Sequence, residues 1–226
     1  MKRGGDPLTA ADLAVDEVLR ATLPVADEGW LSEETADDGD RLAKRRVWIV
    51  DPLDGTREFV TGIPEWCVSV GLAVDGRPAA GGILSPATAR RIVGSVDDGV
   101  WLNGEPVRCT DVSDVPGALV LASRSEVRRG EWERFFSMPI AVRNMGSVAL
   151  KLGLVAAGLA DATWTFVPKN EWDVAAGAAL VFAGGGEVFG TNLAPVRFNG
   201  PDPLLPGFVA TAPGIAAAVR DLLAAG

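Results

Sequence analysis

Hydrophobic positions in the first third of the chain change from a helical to a strand-like spacing. Apolar residues over 7–23 recur at close to every third or fourth position, which predicts an amphipathic helix. The run VWIV at 47–50 is short, apolar and rich in β-branched residues, so it predicts a buried strand ahead of the turn sequence DPLDGT. The same reasoning predicts a short helix to about Thr61 and paired strands over 66–74 and 78–84, joined by a turn at Asp75-Gly76.

The rest of the chain alternates predicted strands with predicted helices. Because strands cluster in the middle and helices alternate with them on both sides, the pattern predicts a layered α/β or α+β protein. A soft boundary at 110–118 divides it into residues 1–115 and 116–226, within one compact unit. Strands are predicted around Asn103-Gly104, over 119–123 and in DATWTF, and helices over 128–137, from Gly146-Ser147 to Gly158, and from Asp173 to the glycines at 184–186.

The residue types present narrow the possible chemistry. The 226 residues include no histidine and no tyrosine. The lack of histidine excludes Ser-His-Asp and Cys-His catalysis and histidine-bound zinc. Two cysteines, Cys67 and Cys109, are too few for a disulfide framework or a four-thiolate metal site. Any metal would therefore be a hard cation such as Mg²⁺ on oxygen ligands.

Charge and hydropathy bear on partners and location. The 21 basic and 30 acidic residues give a net charge of −9, which argues against nucleic-acid binding. The apolar stretch 174–186 is too short to cross a bilayer, and the first residues lack the apolar core of a signal peptide. We therefore expect a cytoplasmic protein with neither a nucleic acid nor a membrane as its partner.

Two carboxylates follow the predicted strand at 47–50. Asp51, Asp54 and the Leu53 carbonyl can converge on one Mg²⁺ ion, while Gly55 lets the backbone come close to a ligand. A helix that starts near Thr56 would add free N–H groups for an anion. A cation beside a phosphate cradle is what phosphoester hydrolysis requires. For a bare Asp-Gly pair, a simple turn with Asp54 as helix cap is the alternative interpretation.

Three further acidic features are ambiguous when each is taken alone. Glu33-Glu34 in LSEET lies one loop before the same strand and could be a solvated loop. Asp173 precedes an alanine-rich helix and could be only its N-cap. Asp12, on the first predicted helix, could lie on a solvated face.

Together these segments resemble the inositol monophosphatase superfamily of Mg²⁺-dependent, lithium-sensitive phosphatases. The matching pieces are LTAAD, LSEE, WIVDPLDGT, GSVALK and EWDVAAG, in that order, over roughly residues 6–190. The resemblance implies alternating α-β-α-β-α layers, as in inositol monophosphatase and fructose bisphosphatase. It also implies a phosphomonoester hydrolase that uses two or three Mg²⁺ ions, is inhibited by Li⁺ or Ca²⁺, forms a homodimer and acts on a small phosphorylated metabolite.

The resemblance assigns a role to each matching position. It places metal and phosphate binding in 1–115 and substrate binding in 116–226. Thr56 would pair with Asp12 to orient and deprotonate the attacking water, and Glu34 is a weaker candidate than Glu33. The implied metal ligands are Glu33, Asp51, Leu53 through its carbonyl, Asp54 and Asp173; the implied catalytic residues are Asp12, Glu33 and Thr56; the implied substrate contacts are Gly55, Thr56, Gly146, Ser147, Lys151 and Phe166.

Details within the motifs favour one branch of the superfamily. Arg57-Glu58-Phe59 and LASRSE at 121–126 resemble 3′(2′),5′-bisphosphate nucleotidases, so we expect removal of the 3′-phosphate of adenosine 3′,5′-bisphosphate. Phe166 stands where inositol monophosphatases often carry an acidic residue, which suits a nucleoside face, although Phe166 could simply pack. Inositol monophosphate and histidinol phosphate are alternative substrates. A non-catalytic metal- or nucleotide-binding protein is the alternative from another class.

The start of the sequence departs from the family pattern. Only eight residues precede Thr9, fewer than the family usually has before this segment. We therefore expect a shortened N-terminal helix, which puts a third metal site and one side of the substrate pocket in doubt.

Overall fold

The computed structural model describes residues 7–25 and 27–224. Within these ranges the chain forms seven α-helices, three short 3-10 helices and fourteen strands. The helices are α1 Ala10–Thr22, α2 Thr56–Thr61, α3 Arg124–Arg128, α4 Glu133–Phe136, α5 Val148–Ala156, α6 Glu171–Ala183 and α7 Ala216–Ala224. The strands are β1 Gly29–Ser32, β2 Arg46–Asp54, β3 Cys67–Val74, β4 Arg77–Ser85, β5 Arg90–Ser95, β6 Gly99–Leu102, β7 Glu105–Val107, β8 Leu119–Ser123, β9 Ala141–Met145, β10 Ala162–Thr165, β11 Lys169–Asn170, β12 Glu187–Phe189, β13 Leu204–Leu205 and β14 Phe208–Thr211.

Most strands belong to two large sheets. The first has seven strands in chain order, β1 to β7, of which only β1 and β2 pair in parallel. The second has five strands in the order β12-β14-β10-β8-β9, with β8 parallel to both of its neighbours. A short antiparallel pair, β11 and β13, lies apart from both sheets.

Helices α5 and α6 form a layer between the two sheets, because both contact strands of each sheet. Glycine in β4 allows this close approach, since a Cβ at Gly81 would lie 2.3 Å from the backbone oxygen of Ala176 in α6. Helix α1 packs against β2 of the first sheet. The predicted layered α/β architecture is therefore confirmed. In the part of the chain that the structure describes, no helix is long and apolar enough to span a bilayer.

The local predictions agree with the structure where caps and turns are explicit. Helix α1 begins after Thr9, whose side chain forms a capping box with Asp12. The helix predicted over 128–137 is too long: within this range only α4 at Glu133–Phe136 is a separate helix, and α3 ends at Arg128, ahead of Gly130 with φ +80°. A left-handed residue at this point cannot continue a right-handed helix.

One charged side chain is buried against expectation. The basic cluster at 41–46 suggests a solvated turn, but Arg41 is only 2% exposed. Its guanidinium donates to Asp37 Oδ2, to Asn199 Oδ1 and to the carbonyl oxygen of Gly200. Glu171, the first residue of α6, accepts from the amides of the same 199–200 segment at 2.6 and 2.9 Å. Arg41 therefore connects distant loops beside the start of α6.

Candidate active site

A cavity of about 190 Å³ lies where ends of elements from both halves of the chain meet. It brings most of the residues predicted for the site into one place. Its lining comprises Glu33, Asp51, Leu53, Asp54, Gly55, Thr56, Arg57, Glu58, Ser123, Arg124, Ser125, Arg128, Gly146, Ser147, Val148, Lys151, Lys169 and Asp173.

The end of β2 holds two nearly buried carboxylates. Asp51 and Asp54 are 2% and 9% exposed, and the register with β3 shifts between them. Asp51 Oδ1 accepts the Leu53 amide at 2.9 Å. Asp54 Oδ2 accepts the Ser147 hydroxyl at 2.7 Å and the Ala149 amide at 2.6 Å. These bonds fix the direction of each carboxyl group.

Ser147 supports Asp54 from the start of α5. Its hydroxyl donates to Asp54 and accepts the Leu150 amide at 3.0 Å as the helix N-cap. The thiol of the buried Cys67 lies 3.4 Å from the same hydroxyl. Ser147 has φ +54°, a rare conformation for a residue other than glycine. The structure thus shows Ser147 orienting a carboxylate, although the resemblance implies a substrate contact.

Carboxylates from two other elements join this pair. Glu33 follows β1, and Asp173 lies in the first turn of α6, where its Oδ2 accepts the Asn170 amide at 3.0 Å. The pKa of Asp173 is raised to about 7, chiefly by burial and further by the negative charges of Asp54 and Glu33, while Lys169 opposes the shift. Repulsion of this kind among clustered carboxylates is relieved by a bound cation.

The oxygen donor set fits Mg²⁺ in chemistry. Glu33, Asp51, Asp54 and Asp173 with the Leu53 carbonyl are hard oxygen donors that share one cavity. Across residues 7–25 and 27–224, however, no three acidic or thiol side chains converge tightly enough on one point to define a metal centre. The geometry therefore supports a set of oxygen donors that share one cavity.

Gly55 and Thr56 form the turn into α2. Gly55 has φ +88°, and a Cβ there would lie 2.7 Å from the Glu65 carbonyl oxygen, so only glycine fits. The Thr56 hydroxyl donates to the Leu53 carbonyl at 2.9 Å. Asp12, its predicted partner, is fully buried in α1, where its carboxylate accepts the Thr9 amide and hydroxyl. Asp12 does not belong to the described residues that line the cavity.

The backbone amide of Gly146, a predicted substrate contact, is bonded to a side chain of the protein. Its amide donates to Glu65 Oε2 at 2.8 Å, and the same carboxylate oxygen pairs with Arg124 of α3. A Cβ at Gly146 would lie 2.3 Å from the Glu58 carboxyl carbon. The pKa of Glu58 is raised, chiefly by burial and also by the nearby charge of Asp54, while Arg124 opposes this shift. Gly146 therefore connects α2, α3 and α5 in the cavity wall.

Lys151 reaches the cavity from α5. It is 2% exposed, and burial lowers its pKa to about 8, against the attraction of Asp54. The sequence analysis did not assign several other lining residues, among them Glu58, Lys169 and the α3 residues. The sequence carries a signal for Lys169, because it lies four residues before Asp173. In the structure Lys169 belongs to β11, which directly precedes α6.

Phe166 lies outside the described cavity lining. Its ring stacks on Phe135 with centroids 5.9 Å apart, and the Arg134 guanidinium lies over it at 5.2 Å. The structure does not bring Phe166 together with the other predicted substrate contacts. It shows the packing role that the sequence analysis left open.

Comparison with known proteins agrees with this architecture. The sequence profile of the inositol monophosphatase family matches residues 1–224. The solved inositol monophosphatase from Anabaena (Nostoc) sp. PCC 7120 superposes with a TM-score of 0.82 at 28% identity, covering 96% of this chain and 87% of that chain. The chain therefore belongs to the inositol monophosphatase family, whose members are metal-dependent phosphatases.

Individual relatives carry different names. The chain is 37% identical over 167 residues to inositol monophosphatase 3 of Solanum lycopersicum, which covers 70% of this chain and 62% of the relative. It is 31% identical over 205 residues to Nus factor SuhB of Pseudomonas aeruginosa, which covers 83% of this chain and 73% of the relative. The chain thus spans between about three fifths and three quarters of the length of these relatives.

Proposed function

We propose that this chain hydrolyses small phosphate monoesters in a Mg²⁺-dependent reaction at the cavity. The observation that carries this proposal is the meeting of Glu33, Asp51, Asp54 and Asp173 with the Gly55-Thr56 turn in one cavity. These residues come from the segment after β1, the end of β2, the start of α2 and the first turn of α6. Family membership supports the same activity.

The chain's own groups divide the chemistry among them. The four carboxylates and the Leu53 carbonyl would hold the ions, with Asp54 aimed by Ser147 and Ala149. Mg²⁺ bound by these oxygens supplies charge neutralisation for the phosphoryl group and acidifies a water molecule. The amides of Gly55 and Thr56 would bind phosphate oxygens, and the Thr56 hydroxyl, with Asp12 as its proposed partner, would orient the attacking water.

Adenosine 3′,5′-bisphosphate is the substrate that we propose first. The cavity carries five cationic side chains beside its carboxylates, namely those of Arg57, Arg124, Arg128, Lys151 and Lys169. A substrate with two phosphates uses such a surface better than a polyol with one. The sequence details at 57–59 and 121–126 point the same way.

Inositol monophosphate is the second candidate substrate. Relatives named inositol monophosphatase are 30–37% identical to this chain. Glu58 also lines the cavity and could accept hydrogen bonds from sugar hydroxyls. Histidinol phosphate is a third possibility from the same chemical class.

A substrate panel tests the proposed function. Phosphate release is measured from adenosine 3′,5′-bisphosphate, inositol 1-phosphate, histidinol phosphate and fructose 1,6-bisphosphate, with Mg²⁺ and with EDTA. We expect Mg²⁺-dependent release, fastest from the adenosine bisphosphate and inhibited by Li⁺ or Ca²⁺. If Mg²⁺ and nucleotide raise the melting temperature but no substrate turns over, the chain is a non-catalytic binding protein.

Family resemblance also supports a homodimer, which light scattering on the purified chain would test directly. A cytoplasmic location is proposed on the composition, and fractionation of cells that express the chain would test it.

A further inference from the structure

The cavity wall formed by α3 is positively charged in an acidic protein. The chain has a net charge of −9, yet Arg124 and Arg128 of α3 both line the cavity. They are four positions apart in α3, so they lie on the same face of the helix. Helix α3 therefore contributes two cations to a cavity that also holds a carboxylate cluster.

The two arginines differ in whether nearby acidic side chains neutralise their charge. Arg124 pairs with Glu65 and lies 3.8 Å from Glu58. Arg128 is exposed, and within the described residues it has neither an ion-pair nor a hydrogen-bond partner. Its neighbour Arg129 pairs with Glu131 at 2.5 Å and does not line the cavity in the described structure. Arg128 therefore offers its whole guanidinium to a ligand.

Two hydroxyl groups lie on the same wall. Ser123 and Ser125 both line the cavity, and their hydroxyl oxygens are 3.0 Å apart. A guanidinium with nearby hydroxyls is a common way to bind phosphate, because the planar fork and the rotating O–H groups reach several oxygens at once.

This wall is distinct from the proposed metal side of the cavity. Asp54 takes its hydrogen bonds from Ser147 and Ala149 of the α5 region, and Asp173 takes its bond from Asn170. Arg124 of α3 instead lies next to two other carboxylates, Glu58 of α2 and Glu65, which follows α2. A phosphate under attack must lie at the carboxylates, so the α3 wall is left for another part of the substrate.

We infer that Arg128, with the hydroxyls of Ser123 and Ser125, forms a subsite for a second phosphate group of the substrate. This inference rests on the proposed phosphatase function and deepens it, because it makes the substrate class bisphosphorylated. Arg124, held by Glu65, positions α3 against the cavity, and Arg128 supplies the charge that discriminates between substrates.

Kinetics on a matched pair of substrates test the subsite. Adenosine 3′,5′-bisphosphate and adenosine 3′-monophosphate differ only in the second phosphate. We expect Arg128→Gln to lower the ratio of their kcat/KM values about 10- to 100-fold, mainly through KM of the bisphosphate. Arg129→Gln, a matched arginine on the same helix end, should keep the ratio of the unmodified chain. An unchanged ratio in Arg128→Gln would overturn the inference.

A binding measurement separates the subsite from turnover. Calorimetric titration with adenosine 5′-monophosphate and with adenosine tests whether a single non-reacting phosphate adds affinity. The inference predicts that the phosphate tightens binding in the unmodified chain and in Arg129→Gln, and that Arg128→Gln loses about 10-fold or more of this gain. Equal binding of both ligands would contradict the subsite even if the chain is an active phosphatase. Loss of the gain in Arg128→Gln without any turnover would support the subsite and refute the proposed function.

Discussion

At the scale of single residues, Ser147 has two roles, because its hydroxyl both caps α5 and orients a carboxylate of the site. Its hydroxyl orients Asp54 and caps α5, and its backbone has a positive φ. The sequence motif identifies the residue but not this role, because the role depends on Asp54, 93 positions away in the chain. A bond between such distant segments exists only once the sheets and α5 have packed.

Replacing Ser147 with alanine tests this role. Ser147→Ala removes both the donor to Asp54 and the cap, so stability should fall by about 1 kcal/mol and Mg²⁺ affinity by about 10- to 100-fold. Calorimetry with Mg²⁺ well below the melting temperature measures the second effect. Ser137→Ala, at an exposed serine that donates only to the Arg134 carbonyl, is the control and should change neither. Unaltered Mg²⁺ binding in Ser147→Ala would refute the orienting role.

The buried thiol of Cys109 predicts a loss of folding stability at alkaline pH. Burial raises the pKa of Cys109 to about 11 from an ordinary value of 9.0, so the unfolded chain releases this proton first as pH rises. The contribution is complete below pH 9 and is lost as pH approaches 11, by about 2 kcal/mol for this group. Urea unfolding at intervals between pH 8 and 11 should show a shallower decline for both Cys109→Ala and Cys109→Ser. A decline as steep as that of the unmodified chain in both variants would count against this account.

At the scale of elements, the start of α6 depends on a buried arginine. Arg41 joins the loop at 37–41 to the segment at 199–200, whose amides are held by Glu171, two residues before Asp173. The hydrogen bond from Arg41 also lowers the pKa of Asp37. The sequence pattern around 41–46 could not predict this contact, because the partner segment lies about 160 positions further along the chain.

Removing the Arg41 side chain should be costly. Arg41→Ala leaves Asn199 and the Gly200 carbonyl without a donor, so we expect a loss of about 2–4 kcal/mol in the free energy of unfolding. Arg45→Ala is the matched control, because Arg45 and Asp75 form an exposed pair with side chains 75% and 62% accessible. That change should cost less than about 1 kcal/mol. Similar losses for both variants would show that the buried network adds little.

The same scale shows which elements sequence patterns can predict. The helix over 7–23, the strand at 47–50 and the hairpin at Asp75-Gly76 have periodic apolar residues or explicit turn signals, and all three are present. The helix predicted over 128–137 is too long, because Gly130 has a left-handed conformation and only Glu133–Phe136 forms α4. Local patterns therefore predict elements well where caps and turns agree with them.

At the scale of the whole molecule, the fold explains why the site could be predicted only in part. Asp51, Asp54 and Thr56 lie within six consecutive residues, so the motif alone predicts that they share one site. Arg124 and Arg128 follow β8 of the five-stranded sheet, and they reach the cavity because this sheet packs on the layer of α5 and α6, which no local pattern encodes. The division of roles between residues 1–115 and 116–226 remains a prediction, although the two sheets draw their strands from 29–107 and 119–211.

Phosphate release by Asp51→Asn tests the central claim most directly. The carboxylate lies at the end of β2 with 2% exposure, and the amide matches it in shape while losing the charge that holds a cation. The chain should release phosphate from adenosine 3′,5′-bisphosphate only with Mg²⁺, and Asp51→Asn, shown to be folded by circular dichroism, should be slower by about 100-fold or more. Equal rates for the two proteins, or release that continues in EDTA, would contradict a reaction driven by cations at this carboxylate cluster.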